Sequence, residues 1–584
     1  MLLHDSHNSY YRFPLGALPC GASLQLRFQC DFAKSIEVRT WDGQETFYPM
    51  AFDGKNGYTA ILTVPSTPKL WWYDFLIHTE NGVLHYGNAY DQLGGEGALY
   101  EGVPASFQVT VYDPAFRTPE YLHQGSIYHI FPDRFFHAHS AAFSPRTDVH
   151  LHEKWDEQPL VRPDPRSGDN MALDFFGGNL NGIAEKLSYL KDMGITILYL
   201  NPIFQARSNH KYDTGDYTRI DPMFGTEEDF RLLCRKASGF GIRILLDGVF
   251  SHVGEDSIYF NRYGTFDSLG AYQSADSPYF PWFNFEEYPL RYKSWWGIPS
   301  LPEVRKDEPS YQAFLFDHEH GIVPRWLKTG ASGWRLDVAD ELPMEFLRKL
   351  RSAAKGVRQD AVVLGEVWED ASNKIAYGQP RSYCLGDTLD SVMNYPLREG
   401  IISFLTRQSS ASQLARLIRH QQEVYPAPFL YSLMNLMGSH DRARIINVLA
   451  GCEWSHLSRE ERANLVLSQE QYRLGTERFL NGLQILCALP GAPAIYYGDE
   501  VGMQGTADPF NRGTFPWGRE DQSLQKAVKT LLNHRKNSSV LQTGFMEVSA
   551  PDEDTLRIRR WIEDSRDALG DPAHNGEEII EVRR

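Results

Sequence analysis

Over residues 1–118, apolar and polar positions alternate in short runs, at 23–28, 35–40, 57–64 and 71–78. Alternation with period two marks a strand with one buried face. The runs are separated by Asp42-Gly43, Asp53-Gly54 and Asn81-Gly82, dipeptides that suit tight hairpin turns. No helical periodicity interrupts them, so this stretch predicts a β-sandwich module. Trp41, Trp71 and Trp72 fit either packing or sugar contact within it.

From 119 the pattern changes to strands alternating with helices, the mark of a parallel α/β domain. The segment 126–131 predicts a first buried strand, and Asn181 is the expected cap of the helix carrying Ile183, Leu187, Leu190 and Met193. Further strands are predicted at 197–201, 242–247, 333–337, 362–366, 391–395, 433–441 and 494–499. Eight βα repeats over 119–520 make a (β/α)8 TIM barrel the economical fold, in the α/β class. One βα unit separates Asp337 from Glu366, whereas the longer interval from Asp247 to Asp337 holds an aromatic-rich insertion at 253–310, after the third strand. A helix at 524–534 and strands at 545–549, 555–561 and 579–582 predict a short C-terminal β-domain, 521–584.

Composition narrows the partners. A chain of 584 residues exceeds a single core. Its net charge of −17, from 58 basic and 75 acidic residues, argues against nucleic acid. No apolar run approaches the roughly 18 residues of a membrane span. The start, Met1-Leu2-Leu3-His4-Asp5, lacks a secretory pattern. Six scattered cysteines without CxxC spacing suit reduced thiols, so a cytoplasmic location is expected. Aromatics form 13% of residues, and their flat faces stack on sugar rings as readily as they fill cores.

The chemistry centres on Gly333-Trp-Arg-Leu-Asp337. Residues two apart on a strand share a face, so Arg335 and Asp337 point to one side. A carboxylate at a strand's C-terminal end is where a barrel builds its active site, although a lone Asp also serves as a helix cap. Further clusters fall at other strand ends: Asp247 with Ser251-His252, Glu366, His440-Asp441, and Asp499-Glu500. Three converging carboxylates, Asp337, Glu366 and Asp441, are costly as structure alone and suit retaining glycoside hydrolysis. Arg335 is expected to hold Asp337 ionised, and the apolar neighbours Leu364, Val367 and Trp368 to keep Glu366 protonated. Asp499 reads as a structural cap or ion-pair partner. His150, His152 and His210 read as solvated loop residues with no metal-ligand spacing, so no metal site is assigned. Ser251 and His252, as strand neighbours, are expected to face opposite ways.

Four motifs in order, Asp247-Gly-Val-Phe-Ser-His252, Gly333-Trp-Arg-Leu-Asp337, Gly365-Glu-Val-Trp368 and Gly438-Ser-His-Asp441, resemble those of the α-amylase superfamily, glycoside hydrolase family 13. Within it the chain is similar to the neopullulanase, cyclomaltodextrinase and maltogenic amylase group, through its N-terminal module, Ser208-Asn-His-Lys-Tyr-Asp-Thr214 and Trp296-Gly-Ile-Pro-Ser-Leu-Pro302. The resemblance implies Asp337 as nucleophile, Glu366 as acid/base and Asp441 as a third carboxylate that holds sugar hydroxyls. It implies substrate contact by Tyr212, His252, Arg335, Trp368 and His440, with Asp247 bracing Arg335, and by Asp508 and Arg512 at the next sugar. The implied activity is retaining hydrolysis of α-1,4 bonds in maltooligosaccharides, cyclodextrins, pullulan or starch. The alternatives are an α-glucosidase, a glucan transferase, or a non-catalytic scaffold. No cofactor is required. Ser251 replaces the Asn that commonly ligates a structural calcium, and Asp340 replaces the Asn of the group's usual Ala-Asn-Glu. Homodimerisation through the N-terminal module is a further expectation.

Overall fold

The computed structural model describes residues 2–138, 146–163, 166 and 170–584. Its N-terminal part is two sheets, of five and seven strands, sharing one core. The predicted alternation is visible in Ser23–Cys30, which buries Leu24, Leu26, Phe28 and Cys30 on one face. They pack against Ile36, Val38, Phe75 and Val109 of the other sheet.

Eight parallel strands follow: β1 (Ile127–Ile130), β2 (Ile197–Leu200), β3 (Arg243–Gly248), β4 (Gly333–Leu336), β5 (Val362–Gly365), β6 (Ser391–Val392), β7 (Met434–Leu436) and β8 (Ala492–Tyr496). Their spatial order is β6-β5-β4-β3-β2-β1-β8-β7, and a parallel bridge from Met393 to Met434 closes the ring. Strands buried on both sides read as unbroken apolar runs, which is why they were legible but their ends were not. β7 stops at Leu436, so Gly438-Ser-His-Asp441 is a loop rather than strand. β8 begins and ends earlier than the pattern implies, and Asp499 opens the turn Asp499–Val501. Tyr395 starts the helix Tyr395–Leu405, capped by Asn394.

The expected cap at Asn181 is corrected. Asn179 has the extended backbone a cap requires (φ −150°, ψ 172°), and its side chain accepts the Gly182 N–H. Asn181 lies inside the helix and donates to Asp229 at 2.9 Å. The predicted single helix breaks at Lys186 into Leu180–Glu185 and Leu187–Asp192, though Ile183, Leu187, Leu190 and Met193 are all buried.

Two features position the site. The insertion after β3 has its own aromatic packing around Tyr259, Phe260, Trp282 and Phe283, and it carries Trp295 and Trp296 to the barrel mouth. At the far end a helix (Gln522–Asn537) leads into the antiparallel sheet Phe545–Asp552, Thr555–Ile562 and Gly576–Arg583. This sheet is tied to the barrel by buried Arg560, which donates to the carbonyls of Ala488 (2.5 Å), Leu541 (2.9 Å) and Gly544 (2.9 Å).

Candidate active site

Parallel pairing in register sets Asp247 of β3 opposite Arg335 of β4, and Arg335 opposite Leu364 of β5. Asp337 and Glu366 each stand one residue beyond a strand, at the C-terminal mouth. The Arg335 guanidinium is the hub. Its Nη1 donates to Asp247 Oδ1 (2.8 Å) and to Asp337 Oδ1 (2.9 Å), while Nη2 lies 2.8 Å from Glu366 Oε2. Tyr199 and Tyr212 donate their hydroxyls to the other Asp247 oxygen, at 2.6 and 2.8 Å. Asp247 therefore accepts three bonds, a buried brace for Arg335 rather than a group open to the cleft.

Asp337, Glu366 and Asp441 line one cleft of about 710 Å³. Tyr212, His252, Trp368, His440, Asp508 and Arg512 share it. Tyr212 and His440 stack at 5.2 Å, nearly parallel, and His440 Nε2 lies 3.1 Å from Asp441 Oδ1. Arg512 pairs with Asp508 at 3.0 Å and approaches Asp441 at 3.7 Å. Trp368 stacks on Tyr395 at 4.0 Å and donates its Nε1–H to Glu366 Oε1 at 3.0 Å.

Two electrostatic expectations are corrected. Glu366 does not sit among apolar groups: Arg335, the Val338 N–H (2.8 Å) and Trp368 Nε1 all face it. The sequence neighbours Leu364 and Val367 are buried elsewhere in the core. Asp337 is not simply held ionised. Burial pushes its carboxyl well above the usual range, Arg335 pulls it down, and the charges of Glu366 and Asp247 push it up again. One guanidinium is shared among three acids, so its pull on each is diluted. Asp441 is pushed up to about 7, by burial first and then by Glu366, although 31% of its side chain is open to cleft water that moderates this push. Asp247, Asp337 and Asp441 titrate together and retain protons to higher pH than isolated carboxylates do.

Burial drives the His440 and His252 pKa values down, the latter to about 3, so both imidazoles are neutral at pH 7. His252 and Ser251 do not face opposite ways. Beyond the end of β3 the strand rule lapses, and Ser251 Oγ meets His252 Nδ1 at 2.8 Å. That contact occupies the hydroxyl at the position where related enzymes commonly place a calcium-ligating Asn. Ser251 there offers a hydroxyl already bonded to imidazole rather than an amide oxygen.

Several groups escaped sequence reasoning. Val338 has φ 41° and ψ 62°, a left-handed conformation that a β-branched residue rarely adopts. That strain aims its N–H at Glu366, and no residue type signalled it. Glu341 ties two walls of the cleft together, accepting from Trp296 Nε1 (3.2 Å) on the insertion and from the Tyr377 hydroxyl on the hairpin after β5. Trp295 and Trp296 stack on each other at 4.9 Å. His210, expected in solvent, lines the cleft beside Tyr212. His152, read as solvated, is buried, and His150, His152 and Glu157 bring one ligand atom each within 4.8 Å of one another, while His210 stands apart in the cleft.

Asp499 and Glu500 point away from the cleft. Asp499 pairs with Arg444 at 3.0 Å, in keeping with a structural part. Glu500 Oε1 accepts the hydroxyls of Tyr128 (2.6 Å) and Tyr189 (2.7 Å), and burial pushes its carboxyl up to about 7. A carboxyl whose folded pKa exceeds its unfolded one binds more protons folded than unfolded between the two values. Its contribution is therefore lost as pH rises from 4.5 through 7. Relative to Glu500→Gln, the wild type is expected to lose up to about 3 kcal/mol of unfolding free energy across that interval. Paired denaturant titrations at pH 4.5, 6 and 8 check this; a difference that does not change with pH contradicts it.

Residues 129–550 match the family described as "Alpha amylase, catalytic domain". An amylopullulanase of Thermoanaerobacterium saccharolyticum is 36% identical over the whole of this chain, which spans 48% of that protein, so the chain has about half the length of this relative. A cyclomaltodextrinase of Geobacillus thermopakistaniensis is 34% identical over 83% of this chain and 72% of its own length. Among solved structures, a cyclic α-maltosyl-(1→6)-maltose hydrolase from Arthrobacter globiformis superposes with a TM-score of 0.63 at 31% identity, covering 76% of this chain and 89% of that one.

Proposed function

The chain belongs to the α-amylase family of glycoside hydrolases, and from that premise we propose that it is a retaining α-glucan hydrolase cleaving α-1,4-glucosidic bonds of maltooligosaccharides, cyclodextrins or pullulan. One observation carries the reading: a single buried guanidinium gathers Asp247, Asp337 and Glu366 at the mouth of a cleft that Asp441 also lines.

In this reading Asp337 attacks the anomeric carbon while Glu366 gives its proton to the departing glycosidic oxygen. The product is a glucosyl ester on Asp337 and a shortened glucan. Glu366 then takes a proton from water as that water attacks the ester, regenerating both groups. Five carboxylates, Asp247, Asp337, Glu366, Asp441 and Asp508, against Arg335 and Arg512 leave surplus negative charge when all are ionised, which supports a retained proton for the first step. Asp441, Arg512 and neutral His440 would grip sugar hydroxyls, and Trp295, Trp296 and Tyr377 offer flat faces at the rim. Product analysis on maltotriose and a cyclodextrin, with and without a glucose acceptor, tests the reading. Maltose and glucose with α configuration at first release are expected. Products of β configuration, or inertness towards both substrates, sink it. Longer oligosaccharides forming with the acceptor would identify a glucan transferase instead.

A homodimer through the N-terminal module is supported by its exposed Trp41, Phe47, Phe52, Tyr90 and Leu99. Sedimentation velocity is expected to give twice the chain mass, falling to one chain mass when Phe52 and Tyr90 are both made Ser. A single-chain mass in the parent protein removes the dimer. A cytoplasmic location is supported by six thiols that form no disulfide. Among the described residues no helix is long and apolar enough to cross a membrane.

A further inference from the structure

We propose that His150, His152 and Glu157, in the segment between β1 and β2, form a binding site for a divalent cation of the zinc type that braces one wall of the cleft. The short strand His150–Leu151 runs parallel to Asp174–Phe175, with His150 opposite Asp174. The two imidazoles stand together where the chain leaves that strand, ring centres 4.7 Å apart. Glu157 comes back over them, with Oε2 2.7 Å from His152 Nδ1.

The surroundings are those of a ligand set held in place. His152 Nε2 lies 3.1 Å from Asp174 Oδ2, and its ring stacks on Phe176 at 3.8 Å. A metal-binding imidazole typically donates its second ring N–H to a carboxylate, which fixes the tautomer and leaves the other nitrogen for the ion. Asp174 is itself pinned, by Asn209 at 2.9 Å and by the Leu160 N–H at 2.9 Å. The second Glu157 oxygen accepts the Lys154 N–H at 3.2 Å, and Oε2 is bonded to His152 Nδ1 at 2.7 Å, a contact an ion between the two atoms would take over. Two nitrogens and one carboxylate oxygen, with a fourth position for water, suit zinc, whereas calcium takes six to eight oxygens. Tetrahedral bonds of zinc length place ligand atoms roughly 3.3 Å apart. The three atoms here, all within 4.8 Å of one another, reach that spacing through small shifts of the partly exposed His150 and Glu157 side chains.

The site reaches the cleft through packed contacts. Trp155, between the ligands, donates to the Phe515 carbonyl at 2.8 Å and accepts at its own carbonyl from Thr514. Arg134, ion-paired with Asp174 at 3.4 Å, donates to the Arg512 carbonyl at 3.0 Å. An ion at His152 would thus stiffen the segment that carries Arg512.

The test uses the full chain, stripped with chelator and titrated calorimetrically with Zn²⁺, then with Co²⁺ followed by visible absorption. The expected result is one Zn²⁺ per chain, a tetrahedral Co²⁺ spectrum, and a thermal midpoint raised by several degrees with Zn²⁺. His150→Gln and Glu157→Gln change partly exposed side chains and leave the His152–Asp174 contact, so folding by circular dichroism is expected to be unchanged. Each is expected to weaken Zn²⁺ binding at least tenfold and to abolish the midpoint rise. Zn²⁺ binding that is absent from the parent chain, or equal in parent and both variants, overturns the proposal.

Discussion

Asp337→Asn is expected to lower kcat on maltooligosaccharides by roughly 10⁴-fold or more, a barrier increase of about 5 kcal/mol. The amide cannot form the ester, and Asp247 and Glu366 are both held by Arg335. Stability should respond in the opposite sense. Asp337 shares one cation with Asp247 and Glu366, and burial pushes its carboxyl well above the ordinary range. A carboxyl with a raised folded pKa contributes stability at acid pH that is lost as pH climbs through the folded value. The variant lacks this titration, so it should gain on the parent as pH rises towards 8. Turnover and denaturant unfolding of both proteins at pH 5 and pH 8 provide the check. Activity within tenfold of the parent would remove Asp337 from the nucleophile's place.

Arg335→Met is the second large effect, and it acts on fold and chemistry together. It leaves Asp247, Asp337 and Glu366 buried around a vacated guanidinium, and breaking a buried ion pair by deleting one partner typically costs about 3–5 kcal/mol. The three acids would then bind protons more tightly in the folded state, so the stability deficit should be larger at pH 8 than at pH 5. Activity should fall at least as far as in Asp337→Asn, because neither acid keeps its position. Arg335→Lys should rescue little: one ammonium cannot span acceptors that the planar fork reaches with two separate nitrogens. A deficit independent of pH, or a lysine variant close to the parent, would show that Arg335 does not hold this cluster.

Much of this arrangement was legible because it rests on local rules. Alternation marked the sandwich strand Ser23–Cys30, and unbroken apolar runs marked the barrel strands. The two-residue period put Arg335 and Asp337 on one side, and the motifs assigned candidate roles to residues at strand ends. What failed were boundaries and neighbours. Asn181 is as good a capping residue as Asn179, and only the backbone entering the helix chooses between them. Leu364 and Val367 flank Glu366 in the chain, but side chains on either side of a strand end point into the core while Glu366 turns to donors from other strands. Ser251 and His252 obey the strand rule only while they are in a strand.

By itself, then, the sequence picked out the polar residues that line the cleft and the barrel strands they follow, because hydrophobic period and short motifs are properties of near neighbours. Only the closed barrel decided how they share charge. Asp247, Asp337 and Glu366 reach one guanidinium because three strands pair in register. Val338 aims its N–H at Glu366 from a strained backbone, and Glu341 joins Trp296 to Tyr377 across the cleft. His150, His152 and Glu157 meet through a loop that folds back on itself. Proton affinity and ligand geometry depend on burial and on distances between segments far apart in the chain, and those distances exist only once the chain has packed.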